Sequence, residues 1–352
     1  MKTAITLDPA ALREALAVRD LTDPAGGPHA MQAMVRAIRS ALDGPVRDLT
    51  GPRVVTLADN YYDLLFPREG VKYDAFFTSA ETLLRTHVSC MVPRALRELA
   101  KDRSWRSVVL LATGVIYRRD RIGPFHAREP HQLDVWWLTR EGPYTPEALT
   151  AAVDGVLRAA LPDHQWRYAE TFHPYTTNGR RIDVLRDDGT HLELAECGIN
   201  TERLLASCGL GSEVSVMSVG LGLDRAFMLR KGIDDIRVLR SDDPRIYEQM
   251  GDFEKYRAPK GMEPIERIVE ARVHGEVMED ESGDLVRAAL GPRARAIAAL
   301  VPTPETLELA MSHTEGEKTL RFRCVVQDLT ETVDASAADD LVRDATKALA
   351  RV

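Results

Sequence analysis

The sequence lacks the hydrophobic run that a membrane-spanning helix needs. Hydrophobic residues make up 44% of the chain, but no stretch reaches the roughly 18 consecutive apolar residues that cross a bilayer. Residues 1–20 carry acidic side chains early and have no continuous apolar core before a small-residue cleavage site. We therefore expect a cytoplasmic protein with no membrane partner.

Cysteine is scarce, and its spacing fits neither a disulfide framework nor a zinc knuckle. None of the four cysteines, Cys90, Cys197, Cys208 and Cys324, stands in a CxxC pair, so we expect reduced and mostly packed thiols. Internal repeats and low-complexity tracts are also missing. The 352 residues exceed one typical domain, which predicts two domains of unequal size.

The chain also has little of the positive charge that nucleic-acid-binding surfaces carry. Its formal net charge is −8, and residues 265–352 hold 11 Lys and Arg against 17 Asp and Glu. Most of the negative excess therefore lies in the last quarter of the chain, where it matches a phosphate backbone poorly.

Hydrophobic periodicity predicts an α+β fold. Three strand candidates, separated by turn signals such as Asn178-Gly179, indicate an antiparallel sheet: Gln165–Phe172, Arg181–Leu185 and His191–Ala195. The last part of the chain reads β, α, β, β, α, as in a ferredoxin-like domain: Val269–Val277, Leu285–Leu300, Thr306–Met311, Thr319–Val326 and Ala337–Leu349. We predict a larger domain at 1–250, a linker at 251–264 and the small domain at 265–352.

The stretch Gly114–Leu138 is the most informative local segment. Strand patterns flank a loop that is rich in arginine and histidine, and forked guanidinium groups are suited to bidentate contacts with phosphate oxygens. Composition alone leaves a solvated hairpin tip as an equal alternative.

Three other segments carry polar side chains at positions where a ligand could bind. His87 stands between Thr86 and Ser89 at a helix start, although a lone histidine is more often structural. The carboxylates of Glu193 and Glu196 could hold Mg²⁺ or an ammonium group, or could simply line an exposed strand edge. The glycines at 220 and 222 allow close approach before Arg225 opens a helix, but an isolated GxG is a weak signal.

Together these segments resemble the signature motifs of class II aminoacyl-tRNA synthetases, and phenylalanyl-tRNA synthetase most of all. RTHVS is similar to that family's RTHTS, VIYRRDRIGPFHAREPHQLD to its VYRRD, TH and FHQVE loop, and GLGLDRAFMLRKGIDDIR to its GMGIERLAML and closing DIR. Pyrrolysyl-tRNA synthetase is the nearest alternative family. The resemblance implies an antiparallel-sheet catalytic domain followed by a ferredoxin-fold anticodon-binding domain.

The resemblance further implies an AMP-forming ligase that uses ATP and Mg²⁺ to activate an amino acid, phenylalanine or an analogue, and then charges tRNA. No protein nucleophile is needed, because the substrate carboxylate attacks the α-phosphorus and the protein contributes positioning and charge stabilisation. Class II cores commonly dimerise beside the RTHVS segment, so a homodimer is also an expectation.

The motifs assign roles to residues of this chain. Arg118 would hold the α-phosphate and the carboxylate, while His126 and Arg225 would contact the β- and γ-phosphates as the other catalytic groups. The remaining ATP-binding residues are expected to be Asp120, Phe125, Gly220 and Gly222. The amino acid is expected to contact His87, Ser89, Gln132, Asp134, His173, Tyr175 and Ser218. Glu193 and Glu196 remain the metal candidates.

Several positions depart from the family pattern. Asp120 and Asp134 replace glutamates, and Pro130 replaces the adenine-stacking phenylalanine, for which Phe125 could substitute only in a rearranged loop. The family's FPFTEP segment is HPYTTN here, at residues 173–178. An imidazole at the pocket wall favours a substrate with a hydrogen-bonding group, since an unpaired one costs about 1–3 kcal/mol.

The sequence also leaves open which molecule accepts the aminoacyl group. The family's RDLS and RTLT segments read RIVEA and ETVDA, although four arginines of the last domain could still form a basic patch: Arg293, Arg295, Arg321 and Arg323. Three hypotheses follow. The first is a tRNA-charging ligase, the second a paralogue that loads another acceptor, and the third a catalytically silent protein that binds tRNA or nucleotide.

Overall fold

The computed structural model describes residues 5–67, 75–119, 123–274, 279–299, 317–330 and 332–351. The chain divides into two compact units. The first comprises Met1–Ile122, His126–Ile233 and Met250–Lys255, and the second comprises Gly123–Phe125, Asp234–Gln249 and Tyr256–Val352. Residues 234–249, which the sequence pattern assigns to the larger domain, group with the second unit. The predicted domain boundaries stay a prediction.

The strands and helices are numbered in chain order. The strands are β1 (Ile5–Thr6), β2 (Val46–Leu49), β3 (Val54–Thr56), β4 (Phe76–Phe77), β5 (Thr82–Leu84), β6 (Ser107–Val115), β7 (His131–Thr139), β8 (Trp166–Glu170), β9 (Thr176–Leu185), β10 (His191–Asn200), β11 (Ser215–Gly222), β12 (Ile265–His274), β13 (Ala294–Ala299) and β14 (Glu317–Val326). The helices are α1 (Pro9–Ala17), α2 (Ala30–Ser40), α3 (Leu57–Asn60), α4 (Val92–Lys101), α5 (Pro146–Ala160), α6 (Glu202–Ser207), α7 (Leu223–Lys231), α8 (Pro244–Tyr247), α9 (Glu279–Leu290) and α10 (Ala335–Leu349). Within the described ranges, none of these helices is long and apolar enough to cross a membrane.

A seven-stranded sheet dominates the first unit. Its strand order is β2-β6-β7-β11-β10-β9-β8, and every neighbouring pair is antiparallel except β2 with β6. A four-stranded sheet, β1-β4-β5-β3, belongs to the same unit. The central strand β7 is buried on both faces, since only Gln132 in it is partly exposed. The predicted antiparallel sheet is therefore present, with β7 and β11 at its centre.

Two amphipathic helices of the first unit lie against each other and supply part of its core. The Thr145 hydroxyl caps α5 by accepting from the backbone N–H of Ala148, and Pro146 fits the first turn because it has no N–H to satisfy. Helix α5 buries Leu149, Val153, Val156 and Leu157, and α2 buries Met31, Met34 and Ile38, as their spacing predicts.

Local signals in the first unit are wrong at two places. Asn178-Gly179 is not a hairpin turn, because both residues lie inside β9, where Asn178 has a φ of 51°. The pairing of β9 with β10 shifts register there, so a β-bulge accommodates the left-handed residue inside the strand. The helical spacing of Leu12 and Leu16 predicts a buried stripe on α1, but Leu16 is 39% exposed, so this stripe is only partly covered.

The second unit contains a three-stranded sheet of order β12-β14-β13 with α9 and α10 packed on it. Alternate residues of β14 enter the core, including Phe322, Cys324 and Val326, as predicted. The single helix predicted at Leu285–Leu300 is wrong: α9 ends at Leu290, and β13 follows as an edge strand on β14. The predicted strand Thr306–Met311 lies outside the described residues.

Candidate active site

The register of the central strands collects several predicted site residues on one face of the sheet. Asp134 of β7 lies opposite Gly220 of β11, and Gly220 lies opposite Glu196 of β10. Directly opposed residues of an antiparallel pair point to the same face. In the next row Trp136 lies opposite Ser218, which is buried. Asp134, Glu196 and Ser218 therefore share one surface, with glycines between them.

Asp134 is the most unusual titratable group of this surface. The Ser89 hydroxyl donates to its Oδ2, while its buried Oδ1 has no hydrogen-bond partner among the described residues. Burial raises the pKa of Asp134 to about 6, and the contacts with Ser89 and Trp136 and the charge of Arg118 offset only part of that rise. A Cβ on Gly220 would lie 3.1 Å from Oδ1, so a larger residue at position 220 would crowd this oxygen. A buried carboxylate with an unused oxygen suits a substrate ammonium group.

Two hydrogen bonds tie the RTHVS segment to the central strands. The backbone N–H of Val88 donates to Oε1 of Gln132 at 3.2 Å, and Nε of Arg118 donates to the carbonyl oxygen of Thr86 at 3.2 Å. Arg118 is exposed, so its Nη groups can reach a phosphate. The structure thus brings Arg118 and Gln132 together with Ser89, although these residues come from three separate segments.

His87 lies beside this group with its imidazole buried. Both of its ring nitrogens lack a hydrogen-bond partner among the described residues, and Phe66 stacks on the ring at a centroid distance of 6.1 Å. Burial, followed by the charge of Arg118, lowers the pKa of His87 to about 3. The imidazole is therefore neutral near pH 7 and offers one donor and one acceptor.

The HPYTTN segment contributes a histidine and a tyrosine. Nε2 of His173 lies 2.8 Å from Oε2 of Glu196, and the hydroxyl of Thr171 donates to Oε1 at 3.2 Å. Tyr175 stacks on Trp136, with a centroid distance of 6.0 Å and an interplanar angle of 16°. Burial, with the carboxylates of Asp134 and Glu196 nearby, raises the pKa of the Tyr175 phenol.

A β-bulge places Arg225 and both glutamates on a common surface. Leu194 has no partner in β9, so Glu193 opposite Asp183 and Glu196 opposite Arg181 face the same way, despite a spacing that would separate them in a regular strand. Arg225 donates to the carbonyl oxygen of Glu193 at 2.8 Å and to Nε2 of His126 at 2.8 Å. The predicted partners Arg225 and His126 are therefore in contact.

Glu193 and Glu196 suit a metal site that substrate phosphates complete better than a site made of protein ligands alone. Among the residues that the structure describes, no three His, Cys, Asp or Glu side chains group closely enough to hold a metal ion. Mg²⁺ usually binds through one or two carboxylates together with substrate phosphates. Glu193 is exposed beside Arg225, whereas Glu196 is engaged by His173. Glu193 is therefore the better candidate.

The ATP-binding roles of two predicted residues stay predictions. Asp120 lies outside the described residues, and Phe125 belongs to the second unit. Gly222 ends β11 and is the N-cap residue of α7. The carbonyl oxygen of Pro130 accepts from the N–H of Ile116 at 2.8 Å; its effect on adenine stacking stays a prediction.

A buried network beside the site had no clear sequence signal. Nδ1 of His131 lies 3.1 Å from Oδ1 of Asp224, and its Nε2 accepts from the N–H of Leu21 at 3.0 Å. With Nε2 accepting from Leu21, Nδ1 is the ring nitrogen that can donate to Asp224. Gln132 follows His131 in the chain, and Arg225 follows Asp224. The His131–Asp224 bond therefore links the start of β7, which carries Gln132, to the first turn of α7, which carries Arg225.

The arginines of the second unit are paired across its sheet. Arg323 contacts Glu266 at 2.7 Å, Arg321 contacts Glu270 at 2.7 Å, and Arg293 contacts Asp328 at 2.9 Å. The fourth arginine of the predicted patch, Arg295, has no described side chain. The three described arginines thus face carboxylates of their own unit.

Comparisons with known proteins show which family the chain is similar to. The family model of the tRNA synthetases class II core domain (F) matches residues 31–250. A phenylalanine-tRNA ligase alpha subunit from Prochlorococcus marinus (strain MIT 9313) is 31% identical over 240 residues, which cover 65% of this chain and 69% of that protein. The chloroplastic/mitochondrial phenylalanine-tRNA ligase from Arabidopsis thaliana is 25% identical over 308 residues, covering 83% of this chain and 67% of that protein.

More distant matches extend the comparison. A solved pyrrolysyl tRNA synthetase from Desulfitobacterium hafniense has 19% identity and a TM-score of 0.47, over 64% of this chain and 76% of its own. The chain spans between 50% and 69% of the length of the curated relatives that it matches. The family resemblance predicted from the three segments is confirmed, and the chain belongs to the tRNA synthetases with the class II core domain (F).

Proposed function

We propose that this chain is an AMP-forming ligase, which activates an amino acid with ATP and transfers the aminoacyl group to tRNA. The observation that carries the proposal is the convergence of Arg118, Gln132 and Asp134 with Ser89 at the centre of the antiparallel sheet. The exposed guanidinium of Arg118 suits a phosphate, and the buried carboxylate of Asp134, with its unused oxygen, suits the ammonium group of an amino acid.

The first step joins the amino acid to the α-phosphorus. A carboxylate oxygen attacks phosphorus, the bond from phosphorus to the bridging oxygen breaks, and pyrophosphate leaves with the electron pair. Asp134 would hold the substrate ammonium, and Arg118 would draw the carboxylate and the α-phosphate together while neutralising their charges. His126 and Arg225, which touch each other, would bind the departing phosphates. No proton transfer from the protein is required.

Glu193 would hold Mg²⁺ together with phosphate oxygens of ATP. A bound Mg²⁺ would neutralise charge on the phosphates. Arg225 fixes the backbone of Glu193 through its carbonyl oxygen, so the same arginine that would bind phosphate also orients the metal candidate. Removing the side chain of Glu193 or of Arg225 should weaken the binding of ATP more than the binding of the amino acid.

A non-tRNA acceptor is the second candidate for the transfer step. It is favoured by the pairing of Arg293, Arg321 and Arg323 with carboxylates of their own unit. Binding of a phosphate backbone depends on cations that release counterions, and arginines already paired contribute less to it. Activation of the amino acid is common to both candidates.

Two assays separate these candidates. We expect amino-acid-dependent exchange of labelled pyrophosphate into ATP, and charging of total tRNA in the presence of the same amino acid. Exchange without charging would favour the other acceptor. Absence of exchange with every amino acid would contradict the proposed function and favour a silent binding protein.

A further inference from the structure

The wall of the amino-acid site carries a polar contact between His173 and Glu196 that a phenyl ring would not need. His173 faces acceptors at both ring nitrogens: Nδ1 lies 3.0 Å from the carbonyl oxygen of Phe172, and Nε2 lies 2.8 Å from Glu196. Glu196 lies across β11 from Asp134, with only Gly220 between them. The pair is therefore close to the proposed ammonium site, on the same face.

Two further polar groups near this wall have no partner within the described part of the protein. The ring nitrogens of His87 are unpartnered among the described residues, and so are both atoms of the Asn200 carboxamide, which is only 6% exposed. Asn200 follows Gly198 on the Glu196 face by strand alternation. Its successor Thr201 donates its N–H to the carbonyl oxygen of Tyr175 at 2.9 Å. Orphaned polar atoms are rare in folded proteins and indicate a missing partner.

The aromatic side chains at this face pack on each other. Trp136 is two residues beyond Asp134 on β7, is 1% exposed, and stacks on Tyr175. Phe66 in turn lies 6.0 Å from the Tyr175 ring, centroid to centroid. The aromatic rings therefore pack against one another along the strand, while the polar groups of His87 and Asn200 are left for a ligand.

We propose that the amino acid selected here has a hydrogen-bonding side chain, such as a hydroxyl, a carboxamide or an imidazole, and that phenylalanine is a poor substrate. The inference rests on the proposed function and names its substrate class. A neutral His87 and Asn200 each offer a donor and an acceptor, and a carboxylate such as Glu196 can accept more than two hydrogen bonds. A phenyl ring would displace water from these groups without replacing its hydrogen bonds, and sites of this kind reject such analogues strongly.

Pyrophosphate exchange with a panel of single amino acids tests the inference. The panel holds phenylalanine, tyrosine, histidine, glutamine, asparagine, serine and threonine, at saturating ATP. We expect the best substrate to be polar and to exceed phenylalanine in kcat/KM by at least about tenfold. Phenylalanine as the best substrate would overturn this inference alone. No exchange with any amino acid would overturn the proposed function, and the inference with it.

Paired variants test the role of the wall. The double substitution His173→Phe with Glu196→Ala removes both partners of the contact together, so neither is left without the other, and we expect the polar-to-phenylalanine preference to fall at least about tenfold. Glu170→Gln, an exposed change on β8 of the same sheet, is the control and should keep the wild-type preference. An unchanged preference in a folded double variant would contradict the assignment. If the double variant does not fold, the wild-type panel decides.

Discussion

Replacing Asp134 by asparagine should remove a pH dependence from the stability of the protein. Burial raises the pKa of Asp134 to about 6 from an ordinary 3.8. The folded state then binds this proton more tightly than the unfolded state does, so the linked stability is fully present below pH 3.8 and is lost as the pH rises through about 6. The carboxamide of the Asp134→Asn variant has no proton to lose over this range.

The magnitude follows from the two pKa values. One unit below the folded pKa, at about pH 5, the linkage contributes roughly 1.4 kcal/mol, and by about pH 8 it has vanished. The carboxamide is nearly isosteric with the carboxyl group, so the contact with Ser89 can persist. The unfolding free energy of the wild type, relative to that of Asp134→Asn, should therefore fall by about 1.4 kcal/mol over this range.

Urea denaturation at several pH values measures this difference. Asp48→Asn, at an exposed ion pair with Arg39, is the surface control and should not reproduce the trend. A difference between the wild type and Asp134→Asn that stays constant from pH 5 to 8 would refute the buried, proton-linked carboxyl. If the wild type gained stability relative to the variant as the pH rises from 5 to 8, the predicted direction of the pH dependence would be refuted.

The other predictions concern positioning and packing. Arg118→Ala should lower kcat/KM in pyrophosphate exchange by about 100-fold or more with an unchanged melting temperature; retained activity would remove Arg118 from the site. Gly220→Ala places a Cβ 3.1 Å from Oδ1 of Asp134 and should raise the amino-acid KM about tenfold. In contrast, a Cβ at Gly155 in α5 would meet nothing within 4 Å. Gly155→Ala should therefore stabilise the protein by about 0.5–1 kcal/mol in thermal melts. His131→Ala should cost about 2–4 kcal/mol in urea denaturation because it removes buried hydrogen bonds; a loss below about 1 kcal/mol would contradict that role.

Short-range patterns predict the parts of the fold that depend on neighbouring residues in the chain. Period-two alternation at 133–137 already separates Asp134 and Trp136 from Leu133 and Val135, and the structure puts Asp134 and Trp136 on the site face. Capping at Asp8 and Thr145 likewise sets the starts of α1 and α5. These elements are predictable because the residues that stabilise them lie within one turn or one strand.

Strand pairing between distant parts of the chain explains where the predictions from sequence were wrong. Residues 294–299 are rich in alanine and arginine, which favour a helix, yet they form β13 because β14 supplies a ladder for them. The bulge at Leu194 is set by the register of β9 and β10, and nothing in the sequence marks it. Without the bulge, the i, i+3 spacing of Glu193 and Glu196 would place the two carboxylates on opposite faces of a regular strand.

The contacts that define the candidate site are also long-range. His173 and Glu196 pair across a strand connection, and Ser89 reaches Asp134 from another segment. Motif resemblance predicts which residues gather, but not that Glu196 binds His173 instead of standing free beside Glu193. A similar limit applies to His131, whose partners Leu21 and Asp224 are distant in the chain.

Formation of aminoacyl-adenylate in a single turnover tests the central claim most directly. The wild-type protein, in excess over α-labelled ATP and supplied with Mg²⁺ and the amino-acid panel, should convert label into an aminoacyl-AMP species, and Arg118→Ala should not. Conversion of the label only to ADP, or equal conversion by the Arg118→Ala variant, would contradict an adenylate-forming site built around Arg118 and Asp134.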